Sequence, residues 1–348
     1  MVGGERQPAR RVPGLHPRPL EGVAAVGYRH GVTDTAPRAL VTGGAGFIGS
    51  HLVDRLLADG HSVCVVDDLS TGSAGNVPSD ARFQRVDICD LASLHEVFAA
   101  FRPEVVFHAA AQTDVRRSTR EPDFDARVNV LGGLNVLRAA VAVGARRIVY
   151  ASSAAVYGDP QRLPVSEADP PHPISEYGTS KLAFEHYLGA YAARGLIEHA
   201  VLRYANVYGP GQRADGEAGV VAIFARQMLA REPVTIFGDG TKTRDYVYVS
   251  DVAEATIRAA AGPPGRGVVA NIGWGREISD LELFREVAAA TGYTKGPTHA
   301  ADRRGDIARI SLDAAVARRI WDWRPSVPLR DGVRHVVEGA KAKPELAR

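Results

Sequence analysis

Hydrophobic and polar residues alternate along this chain in two rhythms. Short apolar runs occupy 38–42 (RALVT), 61–66 (HSVCVV), 83–86 (FQRV), 105–108 (VVFH), 147–151 (RIVYA) and 200–204 (AVLRY). Runs this short, rich in Val and Ile, predict strands buried on both faces. Between them, apolar residues recur every three or four positions. They do so at Leu52, Val53, Leu56 and Leu57, over 91–101 and 124–143, and from near Ile174 through Leu182, Phe184, Tyr187 and Leu188. That spacing predicts amphipathic helices. Strand and helix in strict alternation specify a doubly wound parallel sheet with right-handed crossovers. Past residue 205 the rhythm breaks. A helix over 220–231, a short strand over 234–237, a strand beginning at Asn271, and helices over 279–290 and from Leu312 to Arg319 are predicted there, separated by loops.

The turn after the first strand reads Thr42-Gly43-Gly44-Ala45-Gly46-Phe47-Ile48-Gly49. Gly43 allows a tight turn, Gly46 lets backbone approach a pyrophosphate, and Gly49 permits close helix–strand packing, with the helix N-terminus facing the anion. Asp67 ends the second strand, where a carboxylate accepts from a ribose 2′-hydroxyl and repels a 2′-phosphate, so NAD is expected over NADP. The alternative role for Asp67 is to cap the turn before Leu69-Ser70-Thr71-Gly72. The third strand leads into Asp87-Ile88. The fourth closes on Ala109, Ala110 and Ala111, small enough for a flat ligand to lie against backbone. Asn129 sits within an apolar helical stripe, either as a buried structural amide or as a polar pin at the cofactor. The fold expected is an α/β, doubly wound parallel (Rossmann) sheet with a smaller mixed α/β carboxyl-terminal substrate domain. Its parts are a disordered extension over 1–36, an NAD-binding domain over 37–205 to which the chain returns later, and a substrate-binding region over 206–340.

The fifth strand ends in Ser152-Ser153, with no G-x-S-x-G elbow to make a nucleophile of either. Tyr177 and Lys181 stand four apart, so a helix puts them on one face. An ammonium beside the phenol is expected to lower the Tyr177 pKa and let it move a proton at neutral pH. The spacing alone recurs by chance; the cleft before it gives it context. Arg244 and Arg303, at loop positions, are candidates for bidentate contact with a diphosphate, although a lone Arg is more often a surface residue.

Composition narrows the class further. Hydrophobic content of 45% with 24% charged residues is that of a globular protein, and a net charge of +2 gives no pull toward nucleic acid or membrane. No apolar run reaches the ~18 residues of a membrane helix. Cys64 and Cys89 read as buried reduced thiols, without metal-ligand spacing. The Pro-, Gly- and Arg-rich stretch over 1–36 lacks periodicity and reads as a disordered extension or a start codon placed too early.

Eight motifs follow in order: TGGAGFIG (42–49), VVDDLSTG (65–72), HAAAQTDVRRS (108–118), ASSAAVYG (151–158), YGTSK (177–181), RYANVYGPGQ (203–212), FGDGTKTRDYVYVSDVA (237–253) and RRGD (303–306). From Arg38 to about Val337 the chain resembles the NAD-dependent epimerase/dehydratase family of extended short-chain dehydrogenases/reductases. The resemblance implies that Gly43, Gly46, Phe47, Ile48 and Gly49 cradle the NAD pyrophosphate. It implies that Asp67 and Asp68 hold the adenosine ribose, Asp87 and Ile88 frame the adenine, and Ala109, Ala110, Ala111 and Asn129 line the cleft. Ser153, Tyr177 and Lys181 match the catalytic residues, the last two also touching the cofactor. Asn206, Val220, Phe237, Arg244, Arg303 and Asp306 match substrate-binding positions.

Dehydratases and decarboxylases of the family carry acids after the catalytic Ser or Thr, whereas this chain has Ala154 and Ala155. The resemblance therefore implies 4-epimerisation of a nucleotide sugar, UDP-glucose and UDP-galactose first. The alternatives are UDP-N-acetylglucosamine, UDP-glucuronate or a dTDP-hexose, and behind them a net dehydrogenase or reductase. A cytoplasmic homodimer is implied as well. Three departures stand out: Glu176 where Pro often precedes the Tyr, Ala205 for a common Phe, and Ile310 at the position of the substrate-size gate.

Overall fold

The Val- and Ile-rich runs become strands of a single parallel sheet. A computed structural model describes residues 36–214, 219–262, 267–302 and 307–342. The extension expected over 1–36 lies, but for Ala36, outside these, as do Arg303 and Asp306. The strands are β1 (Arg38–Thr42), β2 (Ser62–Asp67), β3 (Arg82–Arg85), β4 (Val105–His108), β5 (Arg147–Ser153) and β6 (Glu198–Tyr204), followed by β7 (Asn206–Tyr208), β8 (Thr235–Phe237), β9 (Thr243–Arg244), β10 (Tyr246–Tyr248), β11 (Val268–Ile272), β12 (Ile278–Ser279) and β13 (Thr298–Ala300). Seven form one sheet in the order β11-β6-β5-β4-β1-β2-β3, and every pairing in it is parallel. The order reverses between β1 and β4, which is where a doubly wound sheet opens a crevice at its carboxyl edge.

Helices cover both faces: α1 (Phe47–Ala58), α2 (Leu91–Phe101), α3 (Val115–Arg120), α4 (Pro122–Ala126), α5 (Gly133–Ala142), α6 (Glu176–Ala193), α7 (Val220–Leu229), α8 (Val249–Ala261), α9 (Asp280–Thr291), α10 (Ala315–Trp321) and α11 (Leu329–Ala342). The pleat sorts each strand between two cores. Ala39, Val41, Val63 and Val65 face Leu52, Val53 and Leu56 of α1 and Val252, Ala255 and Ala259 of α8. Leu40, Cys64 and Val66 face Leu94 and Phe98 of α2, Val136 and Leu137 of α5, and Phe184 and Leu188 of α6. A third core, with Phe224, Met228, Leu283, Val287, Val333 and Val337, joins α7, α9 and α11 beneath the small carboxyl-terminal strands.

Two expectations change. The helix expected over 124–143 is not continuous: α4 passes through a π-helical stretch, Arg127–Gly132, into α5. Gly132 and Gly133 pack there against Ile88 and Phe184, and a Cβ on either would fall 2.8 or 2.9 Å from those side chains. The wider turn re-phases the stripe at Asn129. Unforeseen were α3, α8 and α11. Half of the buried stripe of α8 is alanine (Ala253, Ala255, Ala259, Ala260), which carries little hydrophobic signal.

Under the carboxyl edge, α6 and the sheet are tied by a buried ion pair. Arg203 on β6 meets Glu185 on α6 at 2.6 Å, with side chains 6% and 5% exposed. The Ser152 hydroxyl donates to Glu185. Arg203 Nη1 donates to the Tyr157 hydroxyl at 2.9 Å, which donates to Asn271 Oδ1 on β11 at 2.8 Å. Removing one partner of such a pair leaves the other charge buried. Arg203→Met is therefore expected to cost about 3–5 kcal/mol, read as a fall in the urea midpoint. A loss below about 1 kcal/mol, the range of an exposed pair, would contradict this account.

Candidate active site

Register brings the candidate residues to one edge. Thr42 lies opposite His108 across β1–β4, and His108 opposite Tyr150 across β4–β5, so the segments beginning at Gly43 and Ala109 leave the sheet beside the last residues of β5, Ala151 to Ser153, which stay paired with β6. Gly43 has φ +72°, and a Cβ on it would sit 2.6 Å from the Ala110 nitrogen. A Cβ on Gly49 would fall 2.0 Å from the Gly43 oxygen. The helix thus starts directly on the turn. Gly46 caps α1 without a side-chain hydrogen bond, leaving Phe47, Ile48 and their neighbours to offer first-turn N–H groups to an anion.

Asp67 serves both readings. Its Oδ2 accepts from Ala45 N at 3.0 Å, pinning the glycine turn, and Oδ1 accepts from Leu69 N at 2.8 Å, capping the following loop. Burial raises its pKa, against those two N–H bonds. Asp68 caps its own loop at Ser70, and Asp87 accepts from Cys89 N. Asp87 is exposed, while Ile88 is 5% exposed and packs into the core. A close-packed glycine turn, uncapped helix amides and a carboxylate at the end of the neighbouring strand fit a dinucleotide.

Next along the edge, Ser175 Oγ caps α6 by accepting from Gly178 N at 3.1 Å. The Ser153 hydroxyl stands close enough to the Tyr177 phenol to lower its pKa. Ser153 Oγ also accepts from Ala155 N at 3.1 Å, which fixes where its hydroxyl can donate. Lys181 is 2% exposed, its Nζ 4.7 Å from the Tyr150 ring centre and 5.9 Å from that of Tyr177. Glu176 is exposed and accepts from Thr119 Oγ1 at 2.8 Å, so its carboxylate turns toward α3 and supports the first turn of α6.

One electrostatic expectation is corrected. Lys181 does not hold the phenol below its ordinary value: burial pushes Tyr177 up to about 12, opposed by the Ser153 hydroxyl and aided by Asp125. Burial brings Lys181 down to about 8, opposed by Asp125 and Glu185. Desolvation of both groups outweighs their mutual attraction. Beneath them His108 is neutral, pushed down to about 3 by burial and by Lys181, with Nδ1 2.8 Å from Thr42 Oγ1 and its ring stacked on Tyr150 at 5.5 Å.

The two readings of Asn129 resolve into a buried pin. Its Oδ1 accepts from Gln112 N at 2.9 Å, while Nδ2 donates to Gln112 O at 3.0 Å, Asp125 Oδ1 at 3.1 Å and Ser180 Oγ at 3.0 Å. It fastens the strand end after Ala109, Ala110 and Ala111 to α6, next to Lys181. Gln112, Asp125 and Glu185 went unsingled in the sequence. The one signal for Asp125 was its i, i+4 spacing with Asn129.

The substrate-side candidates are more scattered. Asn206 N donates to Asp245 O at 2.8 Å, beside half-buried Arg244, whose Nη1 donates to Thr243 O. Asp245, fully buried, gathers Trp274 N, Gly275 N and Leu312 N, and burial raises it to about 6. Phe237 ends β8, paired with Ala300 just before the segment holding Arg303 and Asp306. Val220 opens α7. Ala205 and Ile310, at 9% and 3% exposure, pack in the core.

Known proteins match this arrangement. A family model described as NAD dependent epimerase/dehydratase family matches residues 39–273. The UDP-glucose 4-epimerase of Mycolicibacterium smegmatis is 47% identical over 307 residues, spanning 86% of this chain and 97% of the relative. A crystal structure of UDP-glucose 4-epimerase from Thermotoga maritima with UDP-glucose aligns with a TM-score of 0.86 at 42% identity, covering 88% of this chain and 99% of the other. The UDP-glucose 4-epimerase of Thermus thermophilus, in complex with NAD, gives 0.83 at 44% identity, covering 87% and 99%. With most of its length matched at these identities, this chain belongs to the NAD-dependent epimerase/dehydratase family.

Proposed function

We propose that the protein interconverts UDP-glucose and UDP-galactose by inverting C4 of the sugar, with NAD held in the glycine-lined cleft. The observation that carries this reading is the Tyr177–Ser153 hydroxyl pair, backed by Lys181, on the same sheet edge as the Gly43–Ala110 contact. Relatives described as UDP-glucose 4-epimerases, one structure with UDP-glucose and one with NAD, support it. The assignment puts the pyrophosphate on the amides around Gly43, Gly46 and Gly49, and the ribose on Asp67. It puts the sugar nucleotide on Asn206, Val220, Phe237 and Arg244 with Arg303 and Asp306. The cofactor half is then 37–205 with β11 returning to it, and the substrate half 206–340.

The chemistry NAD supplies when bound is uptake and return of the C4 hydride, together with a positive charge in the cleft. Tyr177, once it has given up its own proton, takes the C4 hydroxyl proton as a phenolate and gives it back to the opposite epimer. Ser153 donates to the C4 oxygen and relays between it and the phenol. Lys181 as an ammonium favours the phenolate. Ala154 and Ala155 supply no second acid, which favours epimerisation over loss of water or carbon dioxide.

A second copy of the chain fits the outer face of α5 and α6. Leu131 and Tyr187, 57% and 43% exposed, border a groove of about 580 Å³ lined also by Leu134, Tyr191 and Arg138. Two free thiols, Cys64 and Cys89, accord with a reducing compartment, the cytoplasm. No helix among the described residues is long and apolar enough to cross a membrane.

Tyr177→Phe is expected to lower kcat for UDP-galactose by roughly 10²–10⁴-fold while NAD content stays at the wild-type level. Turnover within a few-fold of wild type would overturn the role of the phenol. Lys181 is cationic below its pKa of about 8 and neutral above it, so kcat is expected to fall as pH rises through about 8. A profile level to pH 10 would contradict that. The double variant Leu131→Asp/Tyr187→Asp is expected to sediment as a monomer where the wild type is a dimer. A monomeric wild type at micromolar concentration would refute the interface.

A further inference from the structure

Three buried groups crowd the back of the Tyr177–Lys181 pair, and their charges are matched differently. Glu185, one turn beyond Lys181 on α6, is bound by the Arg203 guanidinium through three hydrogen bonds and accepts a fourth from Ser152. His108 is neutral. Asp125 on α4 is 1% exposed and, among the described residues, forms no ion pair. Its Oδ1 is held only by amide donors, Gln112 Nε2 at 2.8 Å and Asn129 Nδ2 at 3.1 Å. A carboxylate buried without a cation is costly, and a protein keeps one where nearby positive charge offsets it. The geometry leads to that charge. The Asn129 amide that holds Asp125 also donates to Ser180 Oγ at 3.0 Å, and Ser180 Oγ donates to the Tyr177 carbonyl at 3.0 Å, so the acid is fastened to α6 between Tyr177 and Lys181.

We propose that Asp125 is a positioning residue whose buried charge fixes the resting protonation of the pair, a neutral phenol beside an ammonium. The inference rests on the epimerase reading for its consequence in turnover, and stands apart from it as a statement about Lys181. Asp125 acts in one direction on both partners, holding the proton on each: it is the leading group opposing the loss of the Lys181 proton on burial, and it also raises Tyr177. The other ionisable groups facing the pair are Glu185 on α6, Tyr150 on β5, His108 on β4 and Arg203 on β6. Arg117 on α3 and Arg127 in the π turn stack on Phe124 at 3.8 and 5.2 Å, beside Asp125 in the chain. Tyr150 contributes a ring face to Lys181 and a hydroxyl without a hydrogen-bond partner, so it brings no charge to compete with Asp125.

The test follows the lysine directly. Lysine occurs only at 181, 242, 295, 341 and 343, so a sample labelled with ¹³C at lysine Cε gives few signals, and Lys181→Met identifies the one of interest. In full-length Asp125→Asn, whose amide oxygen can still accept from Gln112 and Asn129, the Lys181 midpoint is expected to fall by about one pH unit or more. In Gln112→Leu, which loosens the same cluster but keeps the charge, it is expected to stay at the wild-type value. The alkaline limb of the Asp125→Asn kcat profile is expected to move down with the midpoint. An unmoved midpoint in folded Asp125→Asn, or equal shifts in both variants, overturns the proposal. A shifted midpoint in Asp125→Asn beside a wild-type protein that does not turn over UDP-galactose supports the charge role and refutes the UDP-glucose/UDP-galactose reading instead.

Discussion

Gly43 and Ala110 meet backbone to backbone, so closely that residue 43 has no room for a Cβ. The contact joins the ends of β1 and β4, where the strand order reverses and the sheet opens. Its consequences run along the whole edge. Because Gly49 packs on the same turn, α1 starts at once and presents its first amides to the crevice. Because Ala45 N bonds Asp67, the second strand's acid is drawn against the turn. Because β4 runs in register with β5, Ser153 ends β5 beside the alanines. A larger residue at 43 would push these segments apart together, which is why the glycine turn governs the site.

The second constraint is solvation. Lys181 is buried and Tyr177 half-buried in the cleft wall, and burial acts against each charged form. The structure answers with charges matched to different degrees: Glu185 is neutralised by Arg203 and serves packing, whereas Asp125 is held by amides alone and faces the pair. The same hydrogen bonds that orient Asn129 between strand end and helix also hold Asp125 in place. Stability and protonation at this edge therefore share residues.

Much of the site was legible before the fold. The glycine spacing, the acid after the second strand, the small residues after the fourth and the Tyr-Lys pair each obey a local rule, because a nucleotide's phosphates, ribose and ring each impose one chemistry at one strand end. Other features were not. Asn129 stood between two readings until its amide was seen bonded at both ends. Glu176 stood in the sequence only as an acid next to Tyr177 where Pro is common. In the helix its side chain turns to Thr119, because the first turn of α6 faces α3.

The sequence by itself determined the alternation of strand and helix and the glycine turn, and it put Tyr177 and Lys181 one helical turn apart. These depend on backbone conformation and short-range spacing, which neighbouring residues decide. Only the tertiary structure decided the direction of the Tyr177 and Lys181 shifts, the matching of Glu185 with Arg203, and the place of Asp125 behind the pair. Desolvation and long-range charge depend on what packs around a group from distant parts of the chain, and no local spacing records it.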